Sequence, residues 1–197
     1  MSEKIPPRQL ILEAVVTCIE KYGIDKVTTR KIATEAGTNI ASINYYFRSK
    51  EDLISEALSM TINHMMEDVT SAIGDAQQSL EDVLENVFYY LLEGGLHFPG
   101  ISTAHLYKAI TEKKYDSLSA QAIIKVFEEL VKRVSRENPQ RDPVETRLLL
   151  SQILSSIMFT MLAPGFFSVA RKYEFTSEDH AKNLAAYYAK LFLNANS

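Results

Sequence analysis

Apolar residues recur at three- and four-residue steps along almost the whole chain, and the alternating pattern of a half-buried strand is missing. Only seven glycines and six prolines interrupt the 197 residues, so turns should be few and the elements long. Hydrophobic residues make up 46% of the chain and charged residues 23%, a balance typical of a globular protein. The sequence therefore predicts an all-α protein of about nine helices.

Capping residues and helix breakers divide this pattern into elements. The predicted elements begin with a first helix from Leu10 that Gly23 ends, short helices near 29–36 and 40–46, and a long helix capped by Ser49. A helix capped by Ser79 follows, then a turn enclosed by Gly94-Gly95 and Pro99-Gly100, and then helices over 102–112 and 117–136. The last two elements are a helix capped by Asp142 that runs to Ala163 and a helix from Thr176 or Ser177 to Leu193.

Several classes of protein are excluded by what the sequence lacks. The single cysteine, Cys18, cannot form an intramolecular disulfide, and its place in the apolar stripe of the first helix predicts a core residue. The longest uncharged stretch, residues 148–170, is broken by Pro164-Gly165, and its unbroken part, Leu148 to Ala163, would span about 24 Å as a helix, short of the ~30 Å of a bilayer core. The first ten residues, MSEKIPPRQL, contain no apolar stretch of the length typical of a signal peptide. We expect a soluble, cytoplasmic protein with no membrane association.

Motifs for catalysis or metal binding are also missing. The sequence contains no Walker loop, GxGxxG, GxSxG or HExxH pattern, and its four histidines lack zinc-ligand spacing. A nucleophilic role for Cys18 would conflict with its expected burial. The chain is therefore expected not to be an enzyme and to hold no cofactor and no metal.

The segment VTTRKIATEAGTNIASINYYFRSKEDL, residues 27–53, has the pattern of a helix-turn-helix. Gly37 suits the left-handed backbone that the tight turn between the two short helices requires. Ile32, Ala33 and Ala36 would face inward from the first helix, and Ile43 and Phe47 from the second. The residues left on the outer faces then form a candidate DNA-reading surface.

The residue types on that surface suit contact with a DNA groove. Asn44 and Ser42 can bond base edges, and Ala41 is small enough to meet a thymine methyl group. Tyr45 and Tyr46 can reach phosphates through their hydroxyl groups, while flanking phosphates lie within reach of helix N-termini. The predicted DNA-binding residues are Thr29, Arg30, Ala41, Ser42, Asn44, Tyr45, Tyr46 and Lys50.

Charge is distributed unevenly along the chain, although its formal total is only −4. Residues 1–50 contain eight basic and five acidic residues, a net charge of +3. Residues 51–197 contain 13 basic and 20 acidic residues, a net charge of −7. The helix-turn-helix segment, from Lys26 to Lys50, has five basic residues and one acidic residue. The basic half is the one expected to meet DNA phosphates.

Several linked motifs together resemble the N-terminal DNA-binding domain of the TetR (tetracycline-repressor) family of bacterial transcriptional regulators. They are Tyr22-Gly23, Thr28-Thr29 before Ile32-Ala33, Ala36-Gly37, Tyr46-Phe47, and Ser49-Lys50-Glu51 followed by Leu53. The resemblance implies a helix-turn-helix DNA-binding domain over 1–50 and a helical ligand-binding and dimerisation domain over 51–197. The eight predicted DNA-binding residues fall where members of the family touch DNA. Two positions depart from the family pattern: Tyr46 stands where His is common, and Ile40 stands where a basic or polar residue is frequent. Ile40 is therefore not expected to contact DNA.

By this resemblance the chain is a repressor that binds a palindromic double-stranded DNA operator as a homodimer and is released by a small-molecule inducer. The expected inducer-binding residues are Phe88, His105, Tyr107, Met158 and Phe159. The expected dimer contacts, on the last two long helices, are Leu149, Ile153, Ser156, Ile157, Thr160, Ala181, Leu184, Ala185, Tyr188 and Phe192. The alternative is a helical adaptor or small-molecule-binding protein without a specific operator.

Overall fold

The computed structural model describes residues 6–163, 165–166 and 178–195. Its helices are α1 (Pro7–Tyr22), α2 (Thr29–Glu35), α3 (Ile40–Tyr46), α4 (Lys50–Gly74), α5 (Leu80–His97), α6 (Pro99–Thr111), α7 (Leu118–Glu137), α8 (Pro143–Leu162) and α9 (Glu178–Asn194), with a 3₁₀ turn at Ile24–Lys26. These described residues contain no strand, which confirms the predicted fold class. Thr176 and Ser177, the predicted start of the last helix, lie outside the described residues.

The predicted helix caps form as expected. Ser49 Oγ accepts from the Asp52 backbone N–H at 3.0 Å, and Ser79 Oγ accepts from that of Asp82 at 3.1 Å. Asp142 Oδ1 accepts from the Val144 and Glu145 backbone N–H groups, at 2.7 and 3.0 Å. Each cap satisfies donors that the first helical turn leaves without a partner, so these helices begin where the sequence places them.

The turn predicted between Gly94-Gly95 and Pro99-Gly100 is shorter than expected. Helix α5 continues through both glycines to His97, and α6 begins at Pro99. Gly95 serves close packing here, because a Cβ at this position would lie 2.5 Å from Met161 Cγ of α8. Gly95 is therefore part of a helix–helix contact, and the turn predicted between the two glycines and Pro99-Gly100 is present but is confined to Phe98.

The helices enclose two hydrophobic clusters. The first cluster joins α1, α2 and α3 to the first turns of α4, and its members include Val15, Cys18, Ile32 and Phe47. Cys18 is fully buried, as predicted, and burial raises the pKa of its thiol. Ile101 and Ala104 of α6 also belong to this cluster, so it extends past the domain boundary placed at residue 50.

The second cluster is formed by residues of α4, α5, α7, α8 and α9. Helix α5 packs against α4, α8 and α9. The α5 side chains of Val83, Leu84, Val87 and Phe88 are completely buried. No helix among the described residues is long and apolar enough to cross a membrane.

Candidate functional site

The turn between α2 and α3 is held by a pair of backbone hydrogen bonds. Gly37 has φ of +62°, and its N–H donates to the Thr34 carbonyl at 3.3 Å. The next N–H, of Thr38, reaches back to the Ala33 carbonyl at 2.9 Å. This is the Schellman arrangement, in which a left-handed residue after the helix satisfies its last carbonyls. The role predicted for Gly37 is confirmed, and the turn fixes the angle at which α3 leaves α2.

Both helices of the motif have capped N-termini. Thr28 Oγ1 accepts from the Lys31 backbone N–H at 3.3 Å, and Asn39 Oδ1 accepts from that of Ser42 at 2.9 Å. The sequence analysis did not identify Asn39, although asparagine directly before an apolar helical pattern is a cap signal. Its cap anchors the first turn of α3, which holds Ala41 and Ser42.

One face of α3 packs inward and the other faces solvent. Ile43 and the adjacent Phe47 are buried, as predicted. Ala41 and Asn44 are exposed, and Tyr45 is 83% exposed, whereas Ser42 is half-buried. The Tyr45 and Tyr46 rings meet edge to face, with centroids 5.0 Å apart. A small side chain, an amide and two phenols therefore share one exposed surface, which we call the α3 outer face.

Cations flank the α3 outer face on both sides. Arg30 is exposed on α2, and Lys50 is the first residue of α4. Arg48, in the connection between α3 and α4, is also exposed and was not assigned a role from the sequence. Among the described residues none of these three side chains forms an ion pair, while Arg8 pairs with Glu56 and Lys21 with Glu35 at 2.8 Å. Three cations thus remain available for phosphates.

Helix α6 is joined to α1 by a polar contact that sequence reasoning missed. The Glu20 carboxylate accepts from the backbone N–H of Gly100 at 3.0 Å and of Ile101 at 2.6 Å. It therefore caps α6 from a helix 80 residues earlier in the chain. A Cβ on Gly100 would lie 2.9 Å from both the Glu20 Cα and the Ile19 carbonyl oxygen, so the two backbones touch.

The five residues predicted to bind an inducer lie in different places. Phe88 is completely buried against Tyr188, with ring centroids 6.4 Å apart. Tyr107 lies beside Asp25, whose hydrogen bond and charge raise the pKa of the phenol. Met158 is half-buried, and Phe159 is exposed and meets Phe166 edge to face. Phe88, Tyr107 and Phe159 thus contact different partners, and their assignment to an inducer site stays a prediction.

His105, the fifth of these residues, bridges three helices. Its Nε2 lies 3.0 Å from Thr61 Oγ1 of α4, and its Nδ1 lies 2.8 Å from Ser119 Oγ of α7. Because the Thr61 hydroxyl donates to the Leu58 carbonyl, Nε2 carries the proton and Nδ1 accepts from Ser119. Burial lowers the pKa of His105 to about 4, so the imidazole is neutral at physiological pH.

Most of the ten predicted dimer contacts face the core of their own chain. Leu149, Thr160 and Leu184 are half-buried, and Ser156 is exposed with its hydroxyl 2.5 Å from that of Tyr188. The other six are buried, and they are Ile153, Ile157, Ala181, Ala185, Tyr188 and Phe192. Side chains buried within one chain offer no surface to a second, so the face chosen from the sequence is largely the core-facing one.

A neighbouring face of the same two helices carries exposed apolar side chains. On α8 they are Val144, Leu148 and Phe159, which follow one another at helical spacing. On α9 they are Tyr187 and Leu191. We call these five residues the α8–α9 outer stripe. Their exposure could not be read from the sequence, because both faces of α8 are apolar or small.

Comparison with known proteins places the helix-turn-helix in a family. Residues 11–57 match the profile described as "Bacterial regulatory proteins, tetR family". The chain is 48% identical to the HTH-type transcriptional dual regulator CecR of Shigella flexneri over 46 residues, 23% of this chain and 20% of CecR.

Two further similarities extend beyond the helix-turn-helix. The nucleoid occlusion factor SlmA of Vibrio campbellii is 24% identical over 164 residues, 79% of this chain and 82% of SlmA. The structure of the transcriptional regulator FadR from Bacillus subtilis, in complex with stearoyl-CoA, has a TM-score of 0.63 and 16% identity and covers 96% of this chain and 99% of FadR. The fold of FadR is therefore shared over almost the whole chain.

Proposed function

This chain belongs to the TetR family of bacterial transcriptional regulators, and we propose that it is a repressor released from a palindromic DNA operator by a small-molecule inducer. The observation that carries the proposal is the α3 outer face, where Asn44 and Tyr45 are exposed on a helix flanked by Arg30 and Lys50. An asparagine on an exposed recognition helix can pair bidentately with adenine, and unpaired cations beside it can bind phosphates. In this scheme the protein acts in the cytoplasm and catalyses no reaction.

Two copies of α3 would enter successive major grooves. Helix-turn-helix dimers bind half-sites about one helical turn or more apart, so the operator repeats mirror the symmetry of the protein. The eight predicted DNA-binding residues have the roles given to them from the sequence, with Arg48 added as a phosphate contact because it is exposed and unpaired among the described residues. Tyr46 is more enclosed than Tyr45 and supports the aromatic edge of the surface.

The α8–α9 outer stripe is the surface that we assign to the second copy. It is apolar and exposed, and it lies on the two helices through which the family resemblance implies dimerisation. Ser156 and Thr160, from the original prediction, border it with small polar side chains that allow helices to approach closely.

The inducer is proposed to act through α6. This helix is capped by Glu20 of α1 and hydrogen-bonded through His105 to α4 and α7. A ligand that moves α6 therefore changes the orientation of the helix-turn-helix domain. A hundredfold loss of operator affinity requires about 2.7 kcal/mol of differential binding between the two states. FadR of Bacillus subtilis, which has the same fold, forms a complex with stearoyl-CoA. This complex supports a small-molecule ligand for residues 51–197 of this chain.

A second candidate function is that of a DNA-bound nucleoid occlusion factor. The observation that favours it is the alignment with SlmA, which extends over 79% of the chain. The alignment therefore includes residues that follow the helix-turn-helix domain as well as residues of that domain. A chromosome-wide map of binding sites separates the two candidates. Sites dispersed over the chromosome favour the occlusion factor, and one or a few promoter sites favour the repressor.

The decisive experiment is a gel-mobility shift with the full chain on DNA flanking its own gene. We expect a band that survives excess competitor DNA at moderate salt, because base contacts add specificity to phosphate attraction. A band that disappears with competitor as fast as a band on random DNA would reject both the repressor and any operator-specific role.

A further inference from the structure

A basic groove lies between the last turn of α4 and the outer face of α7. It has a volume of about 460 Å³ and is lined by Thr70 and Gly74 from α4 and by Lys125, Lys132, Arg133 and Arg136 from α7, with Glu129 the one acid among its lining residues. Residues 51–197 contain 13 basic residues and have a net charge of −7. Four of those basic residues line this one groove, although it lies in the acidic part of the chain.

The floor of the groove is rigid because Arg133 is fully engaged. Its side chain is 3% exposed, and its guanidinium donates to the carbonyls of Ile73, Asp75 and Gln78, each at 2.7 Å. A further bond goes to the Glu137 carboxylate. These bonds tie α7 to the end of α4 and to the loop that follows it. Arg133 therefore shapes the groove and has little capacity left for a ligand.

The other three cations are free to turn toward a ligand. Lys125 forms no ion pair with a described residue, and the side chains of Lys132 and Arg136 are 68% and 63% exposed. Lys132 pairs with Glu129 at 2.8 Å, and Arg136 lies 3.7 Å from Glu137. Surface pairs of this kind are weak and exchange readily with a stronger anion. Eleven residues separate Lys125 from Arg136, about 16 Å along the helix.

We propose that this groove binds a small molecule carrying two or more phosphate groups. Lys125, Lys132 and Arg136 supply the positive charge that linked phosphates require, and 460 Å³ lies within the range of small-molecule sites. Gly74 leaves the α4 wall open, because a Cβ there would meet nothing within 4 Å. The site is separate from the contacts of α6 and does not depend on the function proposed above.

Two features argue against a nucleic acid as the ligand. The groove lies at the end of α4 opposite to Lys50, and the 25 residues of that helix place it about 37 Å from the DNA-contacting end. Carboxylate residues also lie beside it, because Glu137 contacts Arg133 and Arg136, and Arg133 donates to the backbone carbonyl of Asp75. A long polyanion would meet these charges, whereas a short one would not.

Titration calorimetry of the full chain with tripolyphosphate at low salt tests the proposal. We expect saturable binding with one site per chain. The variant K125Q/K132Q/R136Q should bind at least tenfold more weakly, and Arg133 is left unchanged to preserve the fold. The matched control K108Q/K113Q/K114Q removes the same charge from exposed residues in the last turn of α6 and in the connection to α7, and it should stay within twofold of wild type.

Two results would overturn the proposal. The first is the lack of saturable binding by the wild-type protein, and the second is an equal loss in both triple variants, which would mean general attraction to a cationic surface. Melting curves verify that both variants are folded. Gel shifts on the operator keep this test apart from the proposed function, because both triple variants should bind DNA alike whether or not tripolyphosphate binds.

Discussion

Asn44 is the residue whose replacement tests base readout most directly. It is exposed on the α3 outer face, so Asn44→Ala removes an amide without disturbing the core. We expect a loss of about 1–3 kcal/mol in operator binding, confined to one base-pair position, with relaxed specificity there. Gel shifts on a set of operators mutated one base pair at a time measure this. A uniform loss on every sequence would remove Asn44 from direct readout.

Lys50→Ala is the matched control for that experiment. A phosphate contact carries no sequence information, so this variant should weaken binding to every operator alike. It should also flatten the dependence of log affinity on log salt by about one charge. An unchanged slope would mean that Lys50 does not touch a phosphate.

His105 makes a prediction about stability and pH. Its pKa is about 4 in the folded chain and about 6.5 when unfolded, so the unfolded state takes up a proton first as the pH falls. The resulting stability is present above pH 6.5 and is lost between pH 6.5 and 4. Between pH 7.5 and pH 4.5 the wild type should lose about 2–3 kcal/mol more of its free energy of unfolding than the His105→Gln variant does.

Denaturant titrations at the two pH values measure this difference, and the exposed His64 provides the control. His64→Gln should retain the full pH dependence of the wild type. If His105→Gln also retains it, then the imidazole is not held neutral by its burial between α4 and α7.

At the scale of elements, the contact between α1 and α6 joins the helix-turn-helix domain to a helix of the remaining chain. Gly100→Ala would place a Cβ 2.9 Å from backbone atoms of Ile19 and Glu20, and backbone cannot yield as a side chain can. We expect a loss of about 1–3 kcal/mol in the free energy of unfolding and a weaker Glu20 cap. Denaturant titration measures the first effect, and the operator gel shift measures its consequence for the helix-turn-helix domain.

Gly94→Ala is the control for this substitution. Gly94 is in α5, and a Cβ there would meet nothing within 4 Å. Because alanine favours a helix over glycine by up to about 1 kcal/mol, this variant should be neutral or more stable. Equal destabilisation by the two substitutions would mean that the α1–α6 contact has no special tightness.

At the scale of the whole molecule, the prediction concerns assembly. Leu148 is 57% exposed and Leu191 is 42% exposed on the α8–α9 outer stripe, so glutamate at both positions should leave the fold intact. Burying these charges in a dimer would be costly, and we expect monomers in sedimentation experiments and at least tenfold weaker binding to a palindromic operator. Binding to an isolated half-site should not change.

Leu118→Glu is the control, since Leu118 is 52% exposed but lies on α7. It should leave the dimer intact. A double variant at Leu148 and Leu191 that sediments as a dimer would place the second copy on another surface.

Local sequence carries enough information to place the helices, the caps supplied by neighbouring side chains, the α2–α3 turn and the outer face of α3. Each of these depends on residues within four positions of one another, as in the Asn39 and Ser49 caps and the Gly37 turn. Local spacing and local hydrogen bonds decide such features before the chain packs. The inward faces of Ile43 and Phe47 followed for the same reason.

Which apolar faces become covered, and where distant residues meet, depends on how the helices pack together. The turn expected between Gly94-Gly95 and Pro99-Gly100 is confined to Phe98, Gly95 packs against Met161 of α8, and Glu20 caps a helix 80 residues away. Tyr188 and Phe192 went into the core, while Tyr187 and Leu191 stayed outside. Where a helix is apolar on more than one side, periodicity cannot tell core from interface, because that choice belongs to the neighbouring helices.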